Sequence, residues 1–145
     1  MSLPDPAHAP DLYRDLILKR FIAWCVDLVV TLVLVAAIVL LTAFVGLFFL
    51  PILWIAVSVT YRAVMLANHS ATLGMMLAAI RLRHLNGHRP DPMTCLWHAV
   101  IFLASMASVV GQIASVGLML ITPYRQGLND VVLGTTMINR YLEDR

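Results

Sequence analysis

Residues 28–61 read LVVTLVLVAAIVLLTAFVGLFFLPILWIAVSVTY, 34 positions without a single Asp, Glu, Lys or Arg. A second uncharged stretch covers the 33 positions from 92 to 124. A helix needs about 20 apolar residues to cross a bilayer. Of the whole chain, 61% is hydrophobic and only 12% is charged, against about 25% charged residues in soluble domains. These stretches therefore predict an integral membrane protein, with the lipid bilayer as its first partner.

The apolar block from residue 21 to 61 is too long for one membrane helix. A single helix over it would measure about 60 Å, roughly twice the hydrocarbon thickness of a bilayer. Gly46 and Pro51 interrupt the block near its middle, and both residue types disfavour a continuous helix. We therefore predict one helix near residues 15–44 and a second near 50–68, folded as a hairpin.

The second block, residues 92–124, has two alternative topologies. A single tilted helix would divide the ten Lys and Arg residues seven to three between the two sides of the membrane. A hairpin broken near Gly111 would keep all ten on one side, which fits the accumulation of Lys and Arg in cytoplasmic loops. Against it, two helices of about 15 residues reach only about 22 Å each. We favour the hairpin, and so an all-α integral membrane fold: a small bundle of three to four membrane-embedded helices, arranged as two hairpins with both termini cytoplasmic.

Two short segments are strand-like. Residues 80–83, Ile-Arg-Leu-Arg, alternate with period 2 and are followed by Asn86-Gly87, a strong turn signal. Residues 135–139, Thr-Thr-Met-Ile-Asn, form the other segment. The two can pair only if they lie on one side of the membrane, which the hairpin topology allows. We therefore expect short cytoplasmic strand-like pieces.

The first 14 residues are predicted to be a disordered tail, since they carry three prolines and few apolar side chains. The membrane domain is predicted over residues 15–142. Its first apolar block is more than twice as long as the roughly 7–15-residue core of a signal peptide, so the first helix should remain as an anchor. We expect a bacterial inner (cytoplasmic) membrane protein with a cytoplasmic N-terminus.

Enzymatic chemistry has little support in this sequence. It contains no Ser-His-Asp arrangement, metal motif or Gly-rich phosphate loop. His84 and His88 lie on either side of the Asn86-Gly87 turn, so they are not expected on one helix face as a metal pair. Cys25 and Cys95 lie in or beside the apolar blocks and far apart in sequence, so we interpret them as packed thiols. The net charge of +2 is too small to indicate nucleic acid binding. We expect a non-enzyme without cofactor or metal and with no nucleic acid partner.

A polar stripe crosses the second apolar block. Ser105, Ser108, Gln112 and Ser115 follow one another at intervals of three or four, which places them on one face of a continuous helix. Small polar side chains let membrane helices approach closely; the alternative is the lining of a polar pathway. A kink at Gly111 would divide the stripe.

Asp27 is the outlier among the charges. It follows Arg20 by seven residues, so it lies on the same helical face about 10 Å further along the axis. A carboxylate at that depth costs several kcal/mol unless it is paired, protonated or hydrated. Arg20, Arg62 and Arg81 are the candidate partners, and the pair could either lock the helices together or carry a function.

Three segments carry a family resemblance. Residues 19–27, KRFIAWCVD, resemble the opening motif of the RDD family of membrane proteins. Residues 72–82, TLGMMLAAIRL, with the Asn86-Gly87 turn and Pro90, resemble its central motif, and residues 126–135, QGLNDVVLGT, its closing motif. Together they extend over residues 19–139, in the order and spacing of the family.

The resemblance implies a signature of charged residues, namely Arg20, Asp27 and Asp130. It also implies a supporting set from the other motifs: Thr72, Gly74, Arg81, Gly134 and Thr135. Two departures remove positive charge near Asp130. Met75 and Met76 stand where the family usually has a basic residue, and the closing motif reads Asn129-Asp130-Val131 rather than His-Asp followed by a basic residue.

The functions implied by the resemblance are transport-related, since some members are associated with cation/proton exchange. Asp27 and Asp130 could then exchange a proton for Na⁺ or Li⁺, with Arg20 tuning their pKa values. However, 145 residues make too few helices to enclose a pathway without a homo-oligomer or a larger membrane complex. The alternative is a non-catalytic accessory or assembly subunit of such a complex.

Overall fold

A predominantly helical chain with one small sheet is seen in the computed structural model, which describes residues 3–140. In chain order the elements are α1 Leu16–Leu41, α2 Leu50–His69, α3 Leu73–Leu77, β1 Ile80–His84, α4 Pro92–Met106, α5 Val109–Ile121, α6 Leu128–Leu133 and β2 Thr135–Asn139. The predicted end of the domain at residue 142 and the first two residues of the predicted tail lie outside the described residues.

The first apolar block folds back on itself, as its breakers predicted. The helices α1 and α2 are joined by a 3-10 helix, Val45–Phe49, and both are long and apolar enough to cross a membrane. Ala43 and Phe44 adopt the left-handed conformation, with φ of 49° and 68°, where the chain reverses. Pro51 lies in the first turn of α2, where its missing N–H is tolerated.

The second apolar block is broken, but not at the predicted residue. The axes of α4 and α5 meet at 116°, and the break lies between Met106 and Val109 rather than at Gly111. The side chain of Ser108 caps α5 by accepting a hydrogen bond from the N–H of Gly111 at 3.0 Å, which explains the earlier break. A β-carbon on Gly111 would lie 2.6 Å from the Ser108 hydroxyl.

The two strand-like segments pair. β1 and β2 form an antiparallel two-stranded sheet in which Leu82 lies opposite Met137. Every residue of β2 is buried. Because these strands flank the second apolar block, both ends of that block lie at the same end of the molecule.

Part of the predicted tail packs against this sheet. Residues Pro10–Tyr13 form a 3-10 helix, and the side chains of Leu12 and Tyr13 are buried in the main hydrophobic core. The hydroxyl of Tyr13 donates a hydrogen bond to the carbonyl of Pro4 at 2.8 Å. Two apolar side chains of the stretch predicted as a disordered tail thus contribute to the core.

The buried core lies around the sheet, while the long helices expose apolar side chains. Leu41 and Phe48, at the far end of the α1–α2 hairpin, are each 86% exposed. Contiguous apolar surface on this scale is rare in soluble monomers. The outer faces of α1, α2 and α5 are therefore suited to the hydrocarbon of a bilayer.

Candidate functional site

Asp27 lies within α1, and its carboxylate is surrounded by donors. Its Oδ1 accepts from the hydroxyl of Tyr61 at 2.8 Å and from the N–H of Gly74 at 2.9 Å. Its Oδ2 accepts from the hydroxyl of Thr72 at 2.6 Å and from Nη2 of Arg62 at 3.3 Å. A carboxylate offers about four acceptor positions, so protein donors occupy all of them.

The Thr-Leu-Gly sequence shapes this site locally. Thr72 caps the N-terminus of α3, since its hydroxyl accepts from the N–H of Met75 while donating to Asp27. A β-carbon on Gly74 would lie 2.1 Å from the carbonyl oxygen of Ala23 and 2.9 Å from Oδ1 of Asp27. Only glycine therefore lets the start of α3 approach α1 closely enough for its N–H to reach the carboxylate.

Arg62 is the partner of Asp27 among the three predicted candidates. Its Nη2 lies 3.3 Å from the carboxylate, and its guanidinium carbon lies 3.9 Å from the centre of the Phe102 ring. A cation stacked on an aromatic ring is stabilised by the ring quadrupole. The cluster therefore joins α1, α2 and α4.

Asp130 forms a second cluster near the sheet. Nη1 of Arg20 lies 2.6 Å from its Oδ2, which also accepts from the N–H of Gly127 at 3.1 Å. Its Oδ1 lies 3.0 Å from Nε2 of His98 and accepts from the hydroxyl of Thr135 at 3.2 Å. Asp130 is completely buried. The cluster fastens α1 and α4 to α6 and the start of β2.

The pKa of Asp130 reflects opposing effects. Burial raises it, because the neutral acid is easier to desolvate, but the charge of Arg20 and then the hydrogen bond with His98 lower it more strongly. The net result holds the pKa of Asp130 well below its usual range. The carboxylate is therefore ionised at neutral pH, and with Arg20 it forms a neutral pair.

His98, like Tyr61 beside Asp27, is a site residue that the sequence analysis missed. It is fully buried, and the amide of Asn129 lies 2.7 Å from the same ring nitrogen that contacts Asp130. The available signal was that His98 is the only histidine in the uncharged block 92–124. A histidine thus reaches Asp130 from α4, although the closing motif has Asn129 where the family often has a histidine.

The signature residues do not form one contact cluster. Arg20 pairs with Asp130, while Asp27 pairs with Arg62. Of the supporting set, Thr72 and Gly74 contact Asp27 and Thr135 contacts Asp130. The remaining two have other positions: Gly134 ends α6 with a φ of +61°, and Arg81 lies on β1 opposite Ile138.

A cavity of about 1550 Å³ lies between α1 and α5. Arg20, Asp27 and Arg62 line it at one wall. Ser105, Gln112 and Ser115, three members of the polar stripe, line it from the second apolar block. Because these three residues line open space, they fit the interpretation of the stripe as a polar lining better than that of a helix-packing surface. Ser115 also accepts from the N–H of Leu128, which ties α5 to α6.

Over residues 3–140, no three His, Cys, Asp or Glu side chains are grouped closely enough to hold a metal ion. Cys25 and Cys95 are both free thiols.

The comparison with known proteins agrees with the motifs. The family model described as "RDD family" matches residues 15–134. No curated protein and no solved structure matches this chain significantly. The matched region includes both aspartates with their partner arginines and both long apolar helices, and the chain is a membrane protein that belongs to the RDD family.

Proposed function

We propose that this chain is a non-catalytic membrane subunit whose signature charges fasten its own helices together, and that it works within a larger membrane complex. The observation that carries the proposal is the complete occupation of both carboxylates. Asp27 and Asp130 each have four protein contacts that donate or carry positive charge. Buried groups arranged in this way specify how helices pack.

Cation/proton exchange finds less support in this arrangement. A carboxylate that carries Na⁺ or Li⁺ must offer free oxygen lone pairs to the ion. At Asp27 the ion would have to displace the Arg62 guanidinium and three further donors. At Asp130 it would have to displace Arg20. Exchange remains the prediction that competes with ours.

The membrane topology that we propose has four embedded helices and both ends of the chain on the cytoplasmic side of an inner membrane. The pairing of β1 with β2 supports it, because the strands at the two ends of the second block meet. The helices α4 and α5, of 15 and 13 residues, would reach about 22 Å and 20 Å. Such a hairpin is embedded without crossing, so all ten Lys and Arg residues stay on one side.

The small number of helices supports association with other membrane chains. Two long helices and a short hairpin are too few to enclose a transport path. The α5 helix exposes a row of apolar side chains, of which Val109, Val110 and Ile121 are each more than three-quarters exposed. Lipid or a neighbouring membrane helix can cover this face equally well.

A flux assay tests the proposal against its rival. Purified protein is reconstituted in liposomes with an internal pH dye, and Na⁺ is added outside to wild type, Asp27→Asn and protein-free vesicles. We expect the same slow proton leak in all three. A Na⁺-dependent proton flux that Asp27→Asn abolishes would replace our proposal with the exchanger.

Association is tested in the native membrane. Extraction into lipid nanodiscs without detergent, followed by measurement of the protein content per disc, should find this chain together with other protein. Discs that contain one 16.1-kDa chain and no other protein would contradict the role in a complex.

A further inference from the structure

Arg20 has hydrogen-bonding capacity that Asp130 does not use. Its Nη1 contacts Asp130, but its Nε and Nη2 are buried and have no hydrogen-bond partner within residues 3–140. Only 9% of the residue is exposed. Buried donors of a charged group are costly when they lack an acceptor. Nε and Nη2 lie on one edge of the guanidinium, the edge that grips two oxygens of a carboxylate or phosphate at once.

The cavity beside Arg20 is amphipathic. Arg20 lines it, whereas its partner Asp130 does not. Phe21 and Trp24 on α1 and Val116 and Met119 on α5 supply apolar walls. Its volume of about 1550 Å³ exceeds the roughly 300–1,000 Å³ of small-molecule sites. The space therefore suits a ligand with a long apolar part and an anionic head.

We propose that this cavity binds one anionic phospholipid of the surrounding leaflet, with its phosphate on the Nε–Nη2 edge of Arg20 and its acyl chains along the α1 and α5 walls. Binding requires the guanidinium to turn about its Asp130 contact, because both nitrogens are covered in the present conformation. Basic pockets between membrane helices bind lipid head groups in the same way. The proposal is independent of the role in a complex.

Acidic residues at the cavity oppose an anion only in part. Asp27 is held by Arg62, and Asp15 lies 3.6 Å from Arg14 at the cavity rim. Asp11 also lines the rim, where Arg125 contributes a positive charge. The preference for an anionic head therefore depends on the unused edge of Arg20 rather than on net charge.

Lipid retention tests the proposal. The full chain is purified in mild detergent, incubated with equal amounts of phosphatidylglycerol and of a diacylglycerol with the same acyl chains but no phosphate, and examined by native mass spectrometry. We expect one retained phosphatidylglycerol, favoured over the diacylglycerol by roughly fivefold, as one arginine–phosphate contact provides. Equal retention of the two lipids would overturn the proposal.

Two variants locate the site. Arg20→Lys keeps the charge opposite Asp130 but removes the bidentate guanidinium edge, so the preference for phosphatidylglycerol should disappear. A thermal unfolding curve checks that this variant remains folded. Val116→Trp should place an indole in the path of the acyl chains and weaken lipid retention. The matched control, Val110→Trp, lies on α5 outside the cavity lining and should retain the lipid.

Unchanged selectivity in both Arg20→Lys and Val116→Trp would overturn the site, whatever the wild type binds. Oleate at equal concentration distinguishes a phospholipid phosphate from a fatty-acid carboxylate as the anionic head group in the cavity. Displacement of phosphatidylglycerol by oleate would overturn the assignment to a phospholipid, and failure of oleate to compete would support it.

Discussion

Asp27 and Asp130 each have four protein contacts, but the arginines paired with them differ in how far their own donors are used. Arg62 contacts Asp27 and also stacks on Phe102, so its charge is engaged on two sides. Arg20 contacts Asp130 through Nη1 alone and leaves two nitrogens without an acceptor. Among the described residues, Arg62 therefore has no buried donor without a partner, whereas Arg20 has two. The difference shows that satisfying a carboxylate does not by itself satisfy its partner.

Removal of each aspartate should give the largest effects and should rank the clusters. Asp130→Ala leaves Arg20 buried with no anionic partner, and we expect a loss of about 3–5 kcal/mol in the free energy of unfolding. Asp27→Ala should cost less, because Arg62 keeps its contact with Phe102, worth about 1 kcal/mol. Unfolding in mixed micelles by SDS titration measures both, and the reverse ranking would contradict the comparison.

The close approach of α3 to α1 should be nearly as sensitive. A β-carbon at Gly74 meets backbone atoms of Ala23, so Gly74→Ala should cost about 3 kcal/mol and loosen the Asp27 cluster. Gly117 is the matched control, since a β-carbon there meets nothing within 4 Å. Gly117→Ala should stabilise α5 by up to about 1 kcal/mol. Equal effects of the two substitutions would refute the packing argument.

Acid should weaken the Asp130 cluster in particular. The folded protein holds the pKa of Asp130 below its ordinary value, which is about 3.9. Its stabilisation is therefore complete at neutral pH and declines as the pH falls below about 4, because the unfolded chain then binds a proton that the folded protein does not. We expect a loss of about 1 kcal/mol in the free energy of unfolding between pH 6 and pH 3. Asp130→Asn should remove this dependence, and an unchanged acid response in that variant would contradict the assignment.

Single hydrogen bonds should have the smallest effects. Tyr61→Phe removes one of four donors to Asp27 and the acceptor of the Leu73 N–H, so it should cost about 1 kcal/mol. Thr135→Val removes one donor to Asp130 and should cost slightly less. Chemical unfolding of the two variants under one condition gives the ranking, and a loss above about 3 kcal/mol in either would mean that the clusters depend on one bond.

Local patterns predicted the parts of the fold that depend on local forces. The α1–α2 hairpin followed from the length of the apolar block and its breakers, and the strands followed from alternation and a turn. The break between α4 and α5 was placed near Gly111, three residues late, because the cap formed by Ser108 depends on a backbone geometry that spacing alone does not reveal. The anchoring of residues 3–14 depends on where Leu12 and Tyr13 find a core.

The site was predictable residue by residue but not in its pairing. Arg20 and Asp27 share a helical face, which made them plausible partners. Side chains of a helix lean toward its N-terminus, so Arg20 reaches away from Asp27 and meets Asp130 instead. That contact joins residues more than 100 positions apart in sequence, which no local pattern encodes. His98 was missed because a single histidine in an apolar block lacks the Asp, Glu, Lys or Arg identity that singled out the other site residues.

Double-mutant cycles in mixed micelles test most directly whether the signature charges hold the helices together as two separate clusters. The pairs are Asp27 with Arg62 and Asp130 with Arg20, each residue replaced singly and together, and Asp27 with Asp130 serves as the cross-cluster pair. We predict coupling free energies of about 1–3 kcal/mol within each cluster and less than about 0.5 kcal/mol between them. Weak coupling within the clusters together with strong coupling between the aspartates would contradict the account and favour a shared exchange site.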